Sequence, residues 1–337
     1  VADSQVGQKV SYKLTGTIAD NYATYDTYTY KFTDTLSQGL TYAEGSLEVY
    51  ALNGQSYTKI NPDSYNADEP AGGNGVLTVN FNKNNGLKSA TAANADETLN
   101  IGAETKIVVF YKAELNSEAS YAVAGNDNKV YLEYSNNPMV AGTGKSVTKV
   151  VTDHVFRLDV TKVDSVDSNK KLKAGFKVKV MDGEGSEDAD SQGKWLAQDG
   201  TLVEEGKAYE FTTDETSGKI YIPGLDAGKY QITETTTPKG YNTIAPVIIT
   251  VTPEYDGDGN LTGLNVSDNS GMVDTNNVTN ATDATIPVTI RNKKGSNLPL
   301  TGLNGVTFTW IAGGAVLCIG VAHLIRSRKQ AEESEQE

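Results

Sequence analysis

Short runs that alternate apolar and polar residues, broken by Gly, Asn and Asp, set the tightest limit on how this chain can fold. FRLDVTKVD (156–164), YQITE (230–234) and IPVTIRN (286–292) each place an apolar side chain at every second position. A period of two belongs to β-strands, whose side chains point alternately to opposite faces. No long stripe of helical period precedes residue 300. In the second half the runs predict strands at Phe156–Val163, Phe176–Met181, Tyr209–Thr213, Lys219–Ile222, Gly228–Thr235, Val247–Thr252 and Ile286–Asn292. Turn signals such as DGEG, QDG and DGDGN fall between them, and about seven short strands so spaced predict a β-sandwich. The first half reads the same way, with strands at Lys9–Ile18, Tyr25–Leu36, Ser46–Ala51, Gly75–Asn80, Thr105–Leu115 and Lys129–Ser135. The 18 Tyr and 33 Gly fit strands joined by tight turns.

Three of these strands end their apolar row in a polar residue of chemical interest. Phe156, Leu158 and Val160 lead to Lys162; Tyr230 and Ile232 lead to Glu234; Ile286, Val288 and Ile290 lead to Asn292. Each strand could simply end there, its polar residue in solvent. Three complementary groups at three row ends weigh against that reading. Burial favours a neutral amine and a protonated carboxyl. A neutral amine is a nucleophile, and a protonated carboxyl can polarise an amide. Attack by Lys162 on Asn292 would expel ammonia and leave an amide bond, with Glu234 relaying the proton and the folded core supplying proximity.

Charge and composition exclude several classes. A net charge of −14, with Lys and Arg interleaved among acids, argues against nucleic acid. No phosphate loop, nucleophile elbow or HExxH motif occurs. The DGDGN loop (256–260) has Leu261 and Ser267 where a calcium loop needs Gly and Glu, so it reads as a hairpin turn. The acidic loop 182–190 reads as a solvated face. His154 reads as a linker or strand-edge residue. No cofactor or metal is expected. Cys318 is the sole cysteine, so no intrachain disulfide staples these strands.

The C-terminal end reads LPLTG (298–302), an apolar run at 306–325, then Arg326, Arg328 and Lys329. The run is long enough to span a bilayer, and the charges that follow stay cytoplasmic. This order resembles the cell-wall sorting signal of Gram-positive surface proteins. The resemblance implies that a sortase recognises Leu298, Pro299, Leu300, Thr301 and Gly302. It would cleave between Thr301 and Gly302 and pass the Thr acyl group to an amine of the wall or of another subunit. The membrane is then a partner only before sorting.

A second resemblance covers residues 153–294. YQITETTTPKGY is similar to the E-box, YxLxExxxPxGY, of CnaB-type domains in Gram-positive pilins and adhesins. DVTKVD and VTIRNKK resemble their first and last strands. By this likeness Lys162 and Asn292 form an isopeptide bond that Glu234 catalyses. Ile232 replaces the common Leu and Thr237 a frequent Ala, both read as remote from the chemistry. Tyr230, Pro238, Gly240 and Tyr241 read as strand and turn packing.

The first half resembles the CnaA-like second domain of pilus backbone subunits. Tyr28, Tyr30, Phe32 and Asp34 share one parity; Val130, Leu132, Tyr134 and Asn136 share another. With Val10, Tyr12 and Leu14 facing inward, Lys9 and Lys13 face out, so no lysine takes the buried place. The resemblance makes Asn136 and Asp34 candidates for a second cross-link whose lysine lies upstream of Val1. Alternatively, Asn136 and Asn137 form a turn before Pro138.

The expected architecture is all-β, with two tandem immunoglobulin-like sandwiches (1–150, CnaA-like; 151–294, CnaB-type) and a sorting signal with its transmembrane helix (295–337). The expected role is that of a pilus shaft subunit, extracellular and covalently attached to the wall or pilus. Its partners would be sortase, other pilin subunits and peptidoglycan. The alternative is a wall-anchored adhesin or minor pilin that binds a host ligand. No enzyme activity beyond the self-reaction is expected.

Overall fold

The computed structural model describes residues 2–181, 191–275, 277–279 and 281–295. In residues 2–155 the principal strands are β1 (Ala2–Asp3), β2 (Lys9–Thr17), β3 (Tyr30–Leu36), β4 (Glu48–Asn53), β5 (Val76–Phe81), β6 (Lys106–Leu115), β7 (Asn126–Ser135) and β8 (Lys149–His154). One sheet runs β1-β8-β7-β3-β5 and the other β2-β6-β4. Between them lies an apolar core from Val6 to Val155. Alternation decides which residues enter it: Tyr12 and Leu14 of β2 are buried, whereas Lys9 and Lys13 are exposed. Tyr28 meets Tyr22 and Tyr25 edge to face, at 4.9 and 5.0 Å between ring centres.

Residues 156–292 enclose a second apolar core, from Phe156 to Ile290. Its principal strands are β9 (Phe156–Asp164), β10 (Gly175–Val180), β11 (Lys219–Leu225), β12 (Gly228–Thr236), β13 (Val247–Tyr255), β14 (Leu261–Asp268), β15 (Val273–Thr275) and β16 (Thr285–Asn292). One sheet runs β11-β9-β16-β15, the other β10-β12-β13-β14. The first and last strands, β9 and β16, pair in parallel with Lys162 opposite Ile290 and Asp164 opposite Asn292. In the facing sheet, Glu234 of β12 pairs with Phe176 of β10.

Both sandwiches, residues 2–238 and 243–292, form one compact unit. In the other unit, Tyr241 bridges Lys294, and the Asn242 N–H donates to the Lys293 carbonyl at 2.9 Å. The packing boundary between the sandwiches falls between Val155 and Phe156. There β8 continues the first sheet through His154 and pairs with β1. Gln5 reaches across the boundary, its side-chain amide donating to the carbonyls of Gly200 and Gly224. Gly224 has φ +82°, and a Cβ there would sit 2.6 Å from the Gly200 Cα, so glycine is required where these two turns touch.

Three acids from separate segments also meet at this boundary. Asp3 accepts from the Tyr255 hydroxyl at 2.8 Å. Burial and the neighbouring Asp3 push Asp226 up to about 9. Burial pushes Asp153 up to about 7.

Several expected strands shift. Tyr25–Leu36 begins only at Tyr30, because Tyr22–Thr24 forms a 3₁₀ turn and the tyrosines around it pack on one another. Lys149–His154, where no strand was expected, is a strand. Leu261–Asp268 was not expected; it pairs with residues 249–255 of β13 through the DGDGN turn. The LPLTG motif, the apolar run and loop 182–190 lie outside the described residues.

Candidate cross-linking site

The polar row ends of β9, β12 and β16 meet inside the second sandwich. Lys162 and Asn292 come from adjacent strands of one sheet, two register positions apart on one face. Glu234 comes from the opposite sheet. Lys162 and Asn292 are 0% exposed and Glu234 is 5% exposed. Lys162 Nζ stands 3.1 Å from Glu234 Oε1. Asn292 Nδ2 donates to Glu234 Oε2 at 3.1 Å, as does the Ile244 N–H, also at 3.1 Å. One carboxylate thus faces the amine with one oxygen and the amide with the other.

Burial lowers the Lys162 pKa to about 8, against the opposing pull of Glu234. Phe176, whose ring centre lies 5.2 Å from Nζ, supplies part of the apolar wall. At pH 7 roughly a tenth of such amines are neutral, against about one in 3,000 at the ordinary value. Burial therefore makes the amine easier to convert to its nucleophilic form than an exposed lysine.

Thr237 also belongs to this site, contrary to the expectation that it is remote from the chemistry. Its hydroxyl donates to Glu234 Oε2 at 3.3 Å and lies 2.6 Å from the Thr243 hydroxyl. The chain leaves β12 after Thr236 and turns at Pro238, which brings residue 237 back over the carboxylate.

In the first sandwich Asp34 is fully buried, but its amide neighbour is Asn128 and not Asn136. Asn128 Nδ2 lies 3.3 Å from Asp34 Oδ2 and 2.6 Å from the Tyr111 hydroxyl, which donates to the same oxygen at 2.5 Å. Asn136 is exposed, one residue past the end of β7. The parity reading was sound, since Asn128 shares the row of Val130, Leu132 and Tyr134. The polar member sits at the start of that row, where β7 pairs with the end of β3. Burial pushes Asp34 up to about 6, against the hydrogen bonds from Tyr111 and Asn128. Tyr12 stacks on Tyr111 at 5.1 Å. Among the described residues no lysine forms an ion pair with Asp34. A groove of about 400 Å³, lined by Val10–Thr15, Asn128, Val130 and Lys149, opens beside this cluster.

His154 ends β8 as a strand-edge residue, but a buried one, at 1% exposure. Tyr230 has a polar role besides packing: its hydroxyl accepts from the Asp226 N–H at 2.8 Å. Among the described residues no cluster of His, Cys, Asp and Glu is arranged to hold a metal ion.

Comparison with known proteins places this geometry in a family context. Residues 156–265 match the SpaA prealbumin-like fold domain. The trypsin-resistant surface T6 protein of Streptococcus pyogenes serotype M6 is 24% identical over 254 residues. That match covers 71% of this chain but 40% of the relative, so the chain spans well under half of the relative's length. The group B streptococcus pilus 2b backbone protein superposes with a TM-score of 0.62 at 22% identity, covering 89% of this chain and 98% of that one. The T6 backbone pilin of S. pyogenes gives 0.55 at 20% identity, covering 87% and 67%. Domains D2 and D3 of the Corynebacterium diphtheriae major pilin SpaD give 0.53 at 18%, covering 87% and 96%. The all-β, tandem-sandwich fold of the described residues is therefore the one these pilus backbone proteins share, and the expected fold class is borne out for them.

Proposed function

We propose that this chain is a shaft subunit of a sortase-assembled pilus, and that its second sandwich locks itself with an isopeptide bond between Lys162 and Asn292. The observation that carries the reading is the burial of Lys162, Glu234 and Asn292 with the Glu234 carboxylate touching both of the others, without a disulfide in the chain. The reaction starts from an ammonium–carboxylate pair. Glu234 takes a proton from Nζ, the neutral amine attacks the Asn292 side-chain carbonyl carbon, and the amide nitrogen leaves as ammonia. Nζ loses two protons in all. One goes to the leaving nitrogen and one stays on Glu234, so atoms and charge balance.

The bond would join the first and last strands of the sandwich. Tension along the chain would then pass from β9 to β16 through a covalent link and bypass the strands between them. The Asp34–Tyr111–Asn128 cluster supports a second cross-link in the first sandwich, formed where an amine enters the groove beside Asn128. Sortase would cut after Thr301 and join it to a neighbouring subunit or to peptidoglycan at the cell surface.

Intact mass of the folded protein tests the central claim. A deficit of about 17 Da, the mass of one ammonia, is expected for the bond in the second sandwich. A mass equal to that of the sequence overturns it. The shaft role is tested separately: Thr301 should be recovered in amide linkage to a lysine of another subunit in wall extracts, and its absence there refutes polymerisation.

A further inference from the structure

The site holds a feature that the three reacting groups do not require. Glu234 Oε1 has Lys162 as its neighbour, whereas Oε2 receives three donors: the Ile244 N–H, the Asn292 amide and the Thr237 hydroxyl. The Thr237 hydroxyl continues to that of Thr243 at 2.6 Å. Thr237 is half-buried and Thr243 is exposed. Two hydroxyls therefore connect a buried carboxylate to solvent, and they arrive at the oxygen that holds the leaving nitrogen.

We propose that Thr237 and Thr243 form a proton relay between solvent and Glu234 Oε2, and that Thr237 is a positioning residue for cross-link formation. The proposal rests on the self-reaction described above. A hydroxyl both donates and accepts, so the pair can run in either direction. With Glu234 ionised, Thr243 donates to Thr237 and Thr237 donates to Oε2. With Oε2 protonated, both bonds reverse and the outer hydroxyl donates to water. One full reversal moves one proton without any side chain leaving its place.

The reaction needs this route at two moments. The leaving nitrogen must gain a proton on the Oε2 side, while the proton taken from the amine first arrives on Oε1. The relay lends the first from solvent; Nζ then gives up its second proton to Glu234, one proton returns to solvent through the same hydroxyls and one stays on the carboxyl, so the overall balance is unchanged. After ammonia has gone, the proton left on Glu234 can equilibrate with solvent through an otherwise closed core. General acid–base assistance of this kind accelerates proton transfer by about a hundredfold or more, and a relay that supports it carries part of that.

The test is the rate at which freshly refolded protein loses ammonia, followed by intact mass in wild type and three variants. Thr237→Val keeps the β-branched shape and removes the hydroxyl; it should slow the loss by about tenfold or more. Thr237→Ser keeps the hydroxyl and should react within about twofold of wild type. Thr243→Val leaves the donor on Glu234 but cuts the outer half, so it should be intermediate in rate. In deuterated water the wild type should slow more than Thr237→Val does. Circular dichroism confirms that each variant folds.

Thr237→Val reacting at the wild-type rate overturns the proposal. So does Thr237→Ser as slow as Thr237→Val, which would assign the effect to packing. Wild type that never loses ammonia removes the underlying reaction, and the relay with it; that result differs from wild type reacting with an unaffected Thr237→Val.

Discussion

Glu234→Gln separates the two roles of the carboxylate, because glutamine keeps the shape and the acceptor for Ile244 but cannot take the Lys162 proton. The bond should not form. Two energies then change. The cross-link closes a loop of roughly 130 residues, and losing it restores about 5 kcal/mol of chain entropy to the unfolded state. Lys162 also loses its counter-charge in a fully buried place. That second cost has a ceiling, because the amine can fold neutral. From an ordinary value of 10.5, deprotonation at pH 7 costs at most about 5 kcal/mol. The sum approaches the whole stability of an ordinary domain. The sign with pH follows from the depressed lysine: the unfolded state binds more protons, so stability rises with pH up to about 10.5. Between pH 7 and 9 the variant should regain about 3 kcal/mol. Lys162→Met combined with Glu234→Gln should also lack the bond but show no such rise. Intact mass and denaturant unfolding of the three proteins at both pH values decide the matter. A Glu234→Gln protein that still loses ammonia, or one of full mass with wild-type stability, refutes the reasoning.

Three further outcomes follow from the geometry. The rate of ammonia loss in wild type should stay level below the Lys162 value of about 8, where the ammonium–carboxylate pair that starts the reaction is intact, and fall above it as the pair loses the proton Glu234 must carry, as timed mass spectra between pH 5 and 9 would record. Tyr111→Phe removes a donor from buried Asp34 and an acceptor from Asn128; thermal unfolding should show a loss of about 1–3 kcal/mol. At the boundary between the sandwiches, Asp226 is raised to about 9, so its contribution to stability is full below about pH 4 and is lost as pH rises towards 9. Asp226→Asn, which stays neutral beside Asp3, Asp153, His154, Tyr230 and Tyr255, should flatten the fall in melting temperature between pH 6 and 9; an unchanged fall places the titration elsewhere.

The second sandwich was legible because each reactive residue ends an uninterrupted row, so parity alone placed Lys162, Glu234 and Asn292 on core faces. Parity assigns a face but not a distance along the strand. That is why Asn136 was named and Asn128 was not: both lie in one row, and only the register of β7 against β3 shows which end meets Asp34. Thr237 was missed for a related reason. It lies past the last ladder residue of β12, where period two no longer applies and the turn at Pro238 decides direction. Tyr25 to Thr29 carried an alternating pattern, but ring-on-ring packing of Tyr22, Tyr25 and Tyr28 replaced ladder bonds there. The acids at the domain boundary left no signal, since Asp3, Asp153 and Asp226 are brought together by packing between segments far apart in the chain.

The two sandwiches carry the same arrangement with different outcomes for the buried acid. Each places a carboxylate from one strand against an amide from another. In the second, Lys162 supplies a cation to Glu234, and in the proposed reaction that ionic contact gives way to a covalent link to Asn292. In the first, Tyr111 occupies the carboxylate, and Asp34 rises to about 6. A tyrosine hydroxyl satisfies the acid but cannot attack an amide in its neutral form, so the Asp34–Asn128 contact is chemically idle with the residues described. A lysine entering the groove beside Asn128 would have to displace the Tyr111 hydrogen bond, stabilising Asp34 as an anion while losing its own hydration. The first sandwich should therefore become reactive only with an external amine, whereas the second needs nothing beyond its own fold.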